Sequence, residues 1–387
     1  MKKITVIFII GVLFLASSCK KEKSDEIRVG GIFDLTGPTS ETGSMFANGV
    51  KGYIDYINEK GGINGKRVRL IMIDTAYILA RDLAAYDRLV KREKVHLVIG
   101  WSTGSTEKLV PRVAKDRIPF TSVSYSRKLT DVERAPYNFL TGPTYTDQMK
   151  ISLKYIKDNW KDPARNPRVA FLYNDKEYGR SPIPDGRTYA KKIGVDLVAE
   201  EIVFLDAREV REQMLKLKEK KPDYVIINNT AWPTYVILRD AKMLGLDAKF
   251  IGLIWSSDEK IITLAGSDAE GFIGTTPFVA MDPGLPGVKE ILDFNRRRDG
   301  QAGSVMFLYA NGWTTAKVML EGARRAGDDL SGKNIRRELE GIRDFSTGGI
   351  SDTYTYSGTN HVGLRRLKLC QVIAGKWRPI TDFIGAE

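Results

Sequence analysis

Cysteine and histidine are scarce in this chain of 387 residues, with two of each. Cys19 stands at the end of an N-terminal apolar stretch, which leaves Cys370 no partner for an internal disulfide, and no Cys/His spacing suits zinc. Cys370 falls in the alternating run Leu367-Lys-Leu-Cys-Gln-Val-Ile373 and is expected as a buried thiol in a strand. No uncharged apolar stretch reaches the roughly 20 residues that a membrane-spanning helix needs. Blocks of one charge are missing too. Lys and Arg outnumber Asp and Glu by 60 to 48, yet they are interspersed, as in Lys216-Leu-Lys-Glu-Lys-Lys221 and Arg208-Glu-Val-Arg-Glu212. That pattern reads as solvated helix faces rather than a nucleic-acid patch. These absences exclude a disulfide scaffold and a zinc domain, and neither a metal nor a cofactor nor nucleic acid is expected as a partner.

What is present begins with a leader. Lys2 and Lys3 precede the uncharged run Ile4 to Leu15, and Ala16-Ser-Ser-Cys19 follows. A charged start, a short apolar core and small residues before a cleavage point predict a signal peptide over 1–18. Cys19 directly after the small residues resembles the lipobox of bacterial lipoproteins, with Leu15 one step further from the Cys than usual. The expectation is a lipidated Cys19, a charged tether over 19–26 and an exported protein held at a bacterial membrane by its acyl chains.

The rest alternates β-rich runs with amphipathic helices. Strands are expected at 27–33, 67–73, 95–99, 118–123, 169–173, 198–204, 224–227 and 250–254. Helices are expected at 44–59, 79–94, 105–115, 146–160, 210–220, 234–244, 288–298 and 307–327, with others near Thr188 and 259–264. The chain closes in β-like segments at 353–356 and around Gly375-Lys376. Strands joined through helices imply parallel sheets with right-handed crossovers. Two such series, split near the breaker cluster Pro163-Ala-Arg-Asn-Pro167, predict an α/β protein of two doubly wound, Rossmann-like lobes, since one core rarely serves so long a chain.

Ligands of open parallel sheets bind outside the carboxyl ends of the strands. Those ends carry Trp101-Ser-Thr-Gly-Ser-Thr106 and Ser122-Val-Ser-Tyr-Ser126 in the first series. The second series brings Asn174-Asp-Lys-Glu-Tyr-Gly179, Asn228-Asn-Thr-Ala-Trp232 and Trp255-Ser-Ser-Asp258. Hydroxyls that enter a helix offer an anion site, with side-chain donors and a positive dipole end together. A carboxylate held there, its tail against Tyr178, Trp232 and Trp255, suits a mostly apolar pocket between lobes. Trp232 and Trp255 remain open to pocket and core alike.

Gly100 to Gly104 also spells G-x-S-x-G, the nucleophile elbow of serine hydrolases, with Ser102 at its centre. A hydrolase would need His96 or His361. His96 lies within a strand among apolar neighbours, whereas His361 lies in a turn and could reach a site together with Asp352. No Gly-rich oxyanion loop accompanies them. The reading adopted is a cradle for an anion, not a nucleophile.

The stretches Gly30-Gly-Ile-Phe-Asp-Leu-Thr-Gly-Pro-Thr-Ser-Glu-Thr42, Asn58-Glu-Lys-Gly-Gly-Ile-Asn-Gly-Lys66, Leu172-Tyr-Asn-Asp-Lys-Glu-Tyr-Gly179 and Ala265-Gly-Ser-Asp-Ala-Glu-Gly271 resemble the solute-binding proteins of branched-chain amino-acid ABC transporters. The resemblance implies a type I periplasmic binding protein with a multi-segment hinge, one lobe formed by 27–146 with 277–352 and the other by 147–276 with 353–387. It implies a monomer that closes on a small solute and meets permease and ATPase subunits; a ligand sensor for a membrane receptor is the alternative. It assigns the solute carboxylate to Thr103, with Ser102 or Ser105 near it, and to the loop of Ser122, Ser124 and Tyr125. Tyr178 would line the pocket from the second lobe, and the first loop would add side chains around Thr42. Two features depart from the pattern. The glutamate that holds the ammonium in leucine-binding members is replaced by Ile254 and followed by Trp255, the nearest acids being Asp258 and Glu259. The disulfide of some members is also missing.

Overall fold

The structure is a computed structural model that describes residues 26–279, 281–299 and 305–386. The expected signal peptide, Cys19 and almost all of the tether lie outside the described residues. The first sheet is built from β1 (Glu26–Phe33), β2 (Arg67–Asp74), β3 (Leu97–Gly100), β4 (Phe120–Ser122) and β5 (Asn138–Phe139). These strands run parallel in the order β2-β1-β3-β4-β5. Their crossovers are α1 (Ser40–Glu59), α2 (Leu79–Lys91) and α3 (Thr103–Asp116).

After β5 the chain passes through α4 (Tyr145–Asn159) into a seven-stranded sheet. Its elements are β6 (Arg168–Tyr173), α5 (Glu177–Arg180), α6 (Ile183–Ile193), β7 (Asp196–Ile202), α7 (Arg211–Lys220), β8 (Tyr224–Asn228), α8 (Ala231–Met243), β9 (Lys249–Gly252), α9 (Lys260–Ala265) and β10 (Ile273–Thr276). The period of two along β6 divides this lobe into two cores. Ala170 and Leu172 face Met214, Leu217, Val236 and Ile261 from α7, α8 and α9. Val169 and Phe171 face Met149, Ile151, Ile183 and Ala190 from α4 and α6. Both faces are covered, which is why β6 and β8 read as continuous apolar runs.

Beyond β10 the chain returns as α10 (Pro286–Asp299), α11 (Phe307–Ala326) and α12 (Gly332–Glu340), which pack into the core of the first lobe. Helices α1 and α11 touch backbone to backbone. A Cβ on Gly49 would stand 2.1 Å from the Tyr309 carbonyl oxygen, and one on Gly312 2.0 Å from that of Phe46. Only glycine admits such an approach. The chain then crosses again and adds β11 (Lys368–Ile373) and β12 (Lys376–Pro379), antiparallel, beside β10. The crossing segments bind one another: Leu140 N donates to His361 O at 2.8 Å, Gly363 N to Leu140 O at 3.0 Å, and the Tyr354 and Tyr356 hydroxyls to Thr141 O and Leu140 O.

Beyond the short β5 and α5, which are also unexpected, three segments differ from the sequence expectations. β10 is a strand where none is expected, and α12 is a helix not foreseen. The β-like reading of 353–356 reduces to a single bridge, Phe345 to Tyr354.

Candidate functional site between the lobes

Each strand end contributes a loop whose shape is fixed by short polar side chains. After β1, the buried Asp34 carboxylate accepts Gly37 N at 2.5 Å, Thr39 N at 2.8 Å and the Thr39 hydroxyl at 2.6 Å. Thr39 Oγ1 in turn accepts Trp101 Nε1 at 2.8 Å. After β2, Asp74 accepts Leu35 N, the Thr36 hydroxyl and Ala76 N, and the Thr36 bond foremost holds its carboxyl below the usual carboxylate range. Ala76 and Tyr77 then take φ of 50° and 60°, a left-handed pair that turns the chain back. After β3, Ser102 has φ 67° and caps α3, its side chain accepting Ser105 N at 3.5 Å.

These loops meet the second lobe around a cavity of about 30 Å³, room for a water or two. From the first lobe it is lined by Thr39, Thr42, Tyr77, Trp101, Ser102, Thr103 and Val123; Tyr145 enters from the crossing helix, and Tyr178, Thr230 and Trp255 from the second lobe. Among the described residues no charged side chain lines it. Tyr145 joins the two walls. Its hydroxyl accepts Trp255 Nε1 at 3.0 Å, donates to Val123 O at 3.1 Å and lies 3.4 Å from Thr103 Oγ1. Burial pushes the Tyr145 phenol up, so it stays neutral and able to donate. A larger hollow of about 710 Å³ lies by exposed Arg127, Arg365 and Arg366 on the outside of the crossing segments.

Of the residues singled out in the sequence, Thr42, Ser102, Thr103, Tyr178 and Trp255 come together at this cavity. The others stand elsewhere. Ser105 gives its hydroxyl to the buried Asp82 carboxylate behind the cradle. Ser122 accepts Thr106 Oγ1 at 2.9 Å and Ser124 N at 3.1 Å, and Ser124 is buried behind the wall. Tyr125 backs the pocket without lining it, stacked on Trp255 with centroids 5.8 Å apart and planes at 10°. Trp232 is 43% exposed, because the first turn of α8 rotates it outward and its Nε1 donates to Ala207 O.

Asp258 accepts Lys260 N at 2.5 Å and Glu259 accepts Phe307 N at 2.7 Å, so neither acid lines the cavity. Neither histidine pairs with Ser102. His96 Nδ1 accepts Arg28 N, and His361 is held by Asn138 O and Glu340 Oε1, stacked on Phe139. Asp352 pairs instead with Arg366. Tyr77, Trp101 and Tyr145 are the lining aromatics that sequence reasoning left out. Tyr77 and Trp101 obey the strand-end rule, whereas nothing in the sequence turns Tyr145 inward.

Two doubly wound lobes with a cavity at their strand ends form an arrangement suited to holding a small solute. The profile of the periplasmic binding protein family matches residues 26–376. A leucine-specific-binding protein of Salmonella typhimurium is 25% identical over 338 residues, 85% of this chain and 88% of that one. A leucine-, isoleucine-, valine-, threonine- and alanine-binding protein of Pseudomonas aeruginosa is 22% identical over 79% of this chain and 80% of its own. A branched-chain amino-acid ABC transporter protein of Thermus thermophilus with bound valine superposes with a TM-score of 0.85 at 25% identity, covering 93% and 96% of the two chains. A substrate-binding protein of Aeropyrum pernix gives 0.86 at 27%, over 94% and 96%. The chain therefore belongs to the periplasmic binding protein family, and the relatives named above are binding proteins and not enzymes.

Proposed function

We propose that the protein captures a small carboxylate-bearing solute in this cavity by closure of the lobes and hands it to the permease of an ABC importer. The observation that carries the reading is the lining itself: hydroxyls of Ser102 and Thr103 at the start of α3 on one side, aromatic walls on the other, and no charge between. A carboxylate suits the helix start and the hydroxyls. A protonated amine does not suit the rest, because an ammonium left without an anion or several acceptors costs several kcal/mol. The relatives are named for binding leucine, isoleucine and valine, but here Ile254 and Trp255 stand where the resemblance to leucine-binding members implies an acid. We take the lobes as 27–146 with 277–352 and 147–276 with 353–387, the crossing segments as the hinge, Cys19 as the lipid anchor and the protein as a monomer.

Calorimetry with leucine, phenylalanine and their deaminated forms, 4-methylpentanoate and 3-phenylpropanoate, tests this. The deaminated acids are expected to bind at least as well as the amino acids. Thr103→Ala should weaken them by about 1–3 kcal/mol, the usual loss for a hydrogen bond to a charged group. Tight leucine binding with none for the deaminated acids would sink the proposal.

A further inference from the structure

We infer that the solute is a betaine-type zwitterion, a carboxylate joined to a quaternary ammonium, and that the aromatic walls are a cage for that cation. The inference rests on the carboxylate reading above and specifies what occupies the other end of the cavity. Tyr77, Trp101, Tyr145, Tyr178 and Trp255 all line the same space, and the single aliphatic side chain among the lining residues is Val123. A pocket shaped for a plain hydrocarbon tail would draw on Leu, Ile, Val and Phe. These are instead the electron-rich rings, with tryptophan the best of them for a cation.

The ring geometry agrees. Trp101 and Trp255 lie 5.8 Å apart at 53°, and Tyr145 and Tyr178 6.4 Å apart at 48°. These four rings line the one cavity and lie tilted on one another, whereas Tyr125 lies flat on Trp255 behind them. Three polar edges are already committed, Trp101 Nε1 to Thr39, Trp255 Nε1 to Tyr145 and the Tyr145 hydroxyl to Val123 O, while the buried Tyr178 hydroxyl has no partner among the described residues. What remains for a solute is π face and a few neutral hydroxyls, those of Thr42, Thr230 and Tyr178 among them. A primary ammonium has three N–H donors to satisfy and finds no anion here. A quaternary ammonium has none. Its charge is spread over methyl groups that need only apolar, electron-rich contact. The site thus excludes an ordinary amino acid and accepts its fully methylated counterpart by the same property.

The test compares two probes of one shape: glycine betaine, and 3,3-dimethylbutanoate, in which carbon replaces the charged nitrogen. The same pair lengthened by two methylenes covers the spacing between cradle and cage. Calorimetry on the unmodified protein should show a betaine binding about tenfold more tightly than its carbon isostere, within the range that aromatic faces give a desolvated cation. Choline, a cation without the carboxylate, should bind more weakly than the betaine. Trp255→Leu should bring the ratio toward one, and Trp255→Phe should keep part of it. An isostere that binds as tightly as the betaine at both lengths overturns the cage and leaves the carboxylate reading standing. Choline equal to the betaine overturns the carboxylate reading instead. Failure of all these probes overturns the inference outright.

Discussion

Tyr145→Phe and Tyr178→Phe remove the same atom from two rings of one cavity and should act in opposite directions on stability. The Tyr145 hydroxyl serves the buried Trp255 indole N–H and the Val123 carbonyl, and approaches Thr103. Tyr145 is 1% and Trp255 6% exposed, so only a water held in the cavity could take the place of the lost partner. An unsatisfied buried group costs about 1–3 kcal/mol. With two left unserved, Tyr145→Phe should destabilise the protein by about 2–4 kcal/mol. The Tyr178 hydroxyl is buried and has no hydrogen-bond partner among the described residues. Its removal relieves a desolvated polar group, so Tyr178→Phe should be neutral or stabilising by up to about 1 kcal/mol. Urea denaturation of both variants without solute measures the difference. Equal losses in the two variants would refute the account, since both keep the ring and differ only in what the hydroxyl touches.

Further outcomes follow from other contacts. Burial first, and then the Asp258 charge, push Glu259 up to about 7. A raised carboxylate favours the folded state below its ordinary range of about 4.5 and loses that contribution as pH climbs through 7. Glu259→Gln, which can still accept from Phe307 N, should therefore flatten the stability profile between those values. It should also be the more stable form at pH 8, by about 2–3 kcal/mol; a profile parallel to the wild type would count against it. A Cβ on Gly104 would stand 2.8 Å from the Glu177 carboxyl across the cleft. Gly104→Ala should stabilise α3 by about 0.5–1 kcal/mol yet lower solute affinity, because closing must displace Glu177. Unchanged affinity by calorimetry would remove that contact from the closing step. Cys19→Ser should release the protein from membranes or leave its precursor uncleaved, and a correctly cleaved yet membrane-retained variant would contradict lipidation.

The alternation of strands and helices was legible because each helix buries one stripe and each central strand both faces. β10 was not, since Ile273-Gly-Thr-Thr276 is too short and too poor in apolar residues to announce itself; its pairing with β9 and β11 makes it a strand. α12 carried a signal that went unread: Ser331 caps it, and Ile335 and Leu339, four residues apart, are its buried stripe. At the site, the strand-end rule locates the cradle but not the direction in which a side chain leaves its helix. Trp232 and Tyr145 both stand in the first turn of a helix, and only packing decides that one faces solvent and the other the cavity.

The second sheet has its own consequence for how the protein is made. β10 pairs with β9 on one side and, through Ile273 and Gln371, with a strand that leaves the ribosome three helices later. Until then β10 is an open edge, a template for pairing with another chain. Contacts so distant in sequence also form slowly. The second lobe therefore cannot finish before almost all the chain has been synthesised, and neither of its two cores is sealed in that time, since Leu369 belongs to one and Cys370 and Val372 to the other. For a protein bound for export this delay is useful, because a chain that has not closed its sheet is still threadable through a translocation pore. The same delay makes shortening the chain before Lys368 an aggregation hazard rather than a simple loss of two strands.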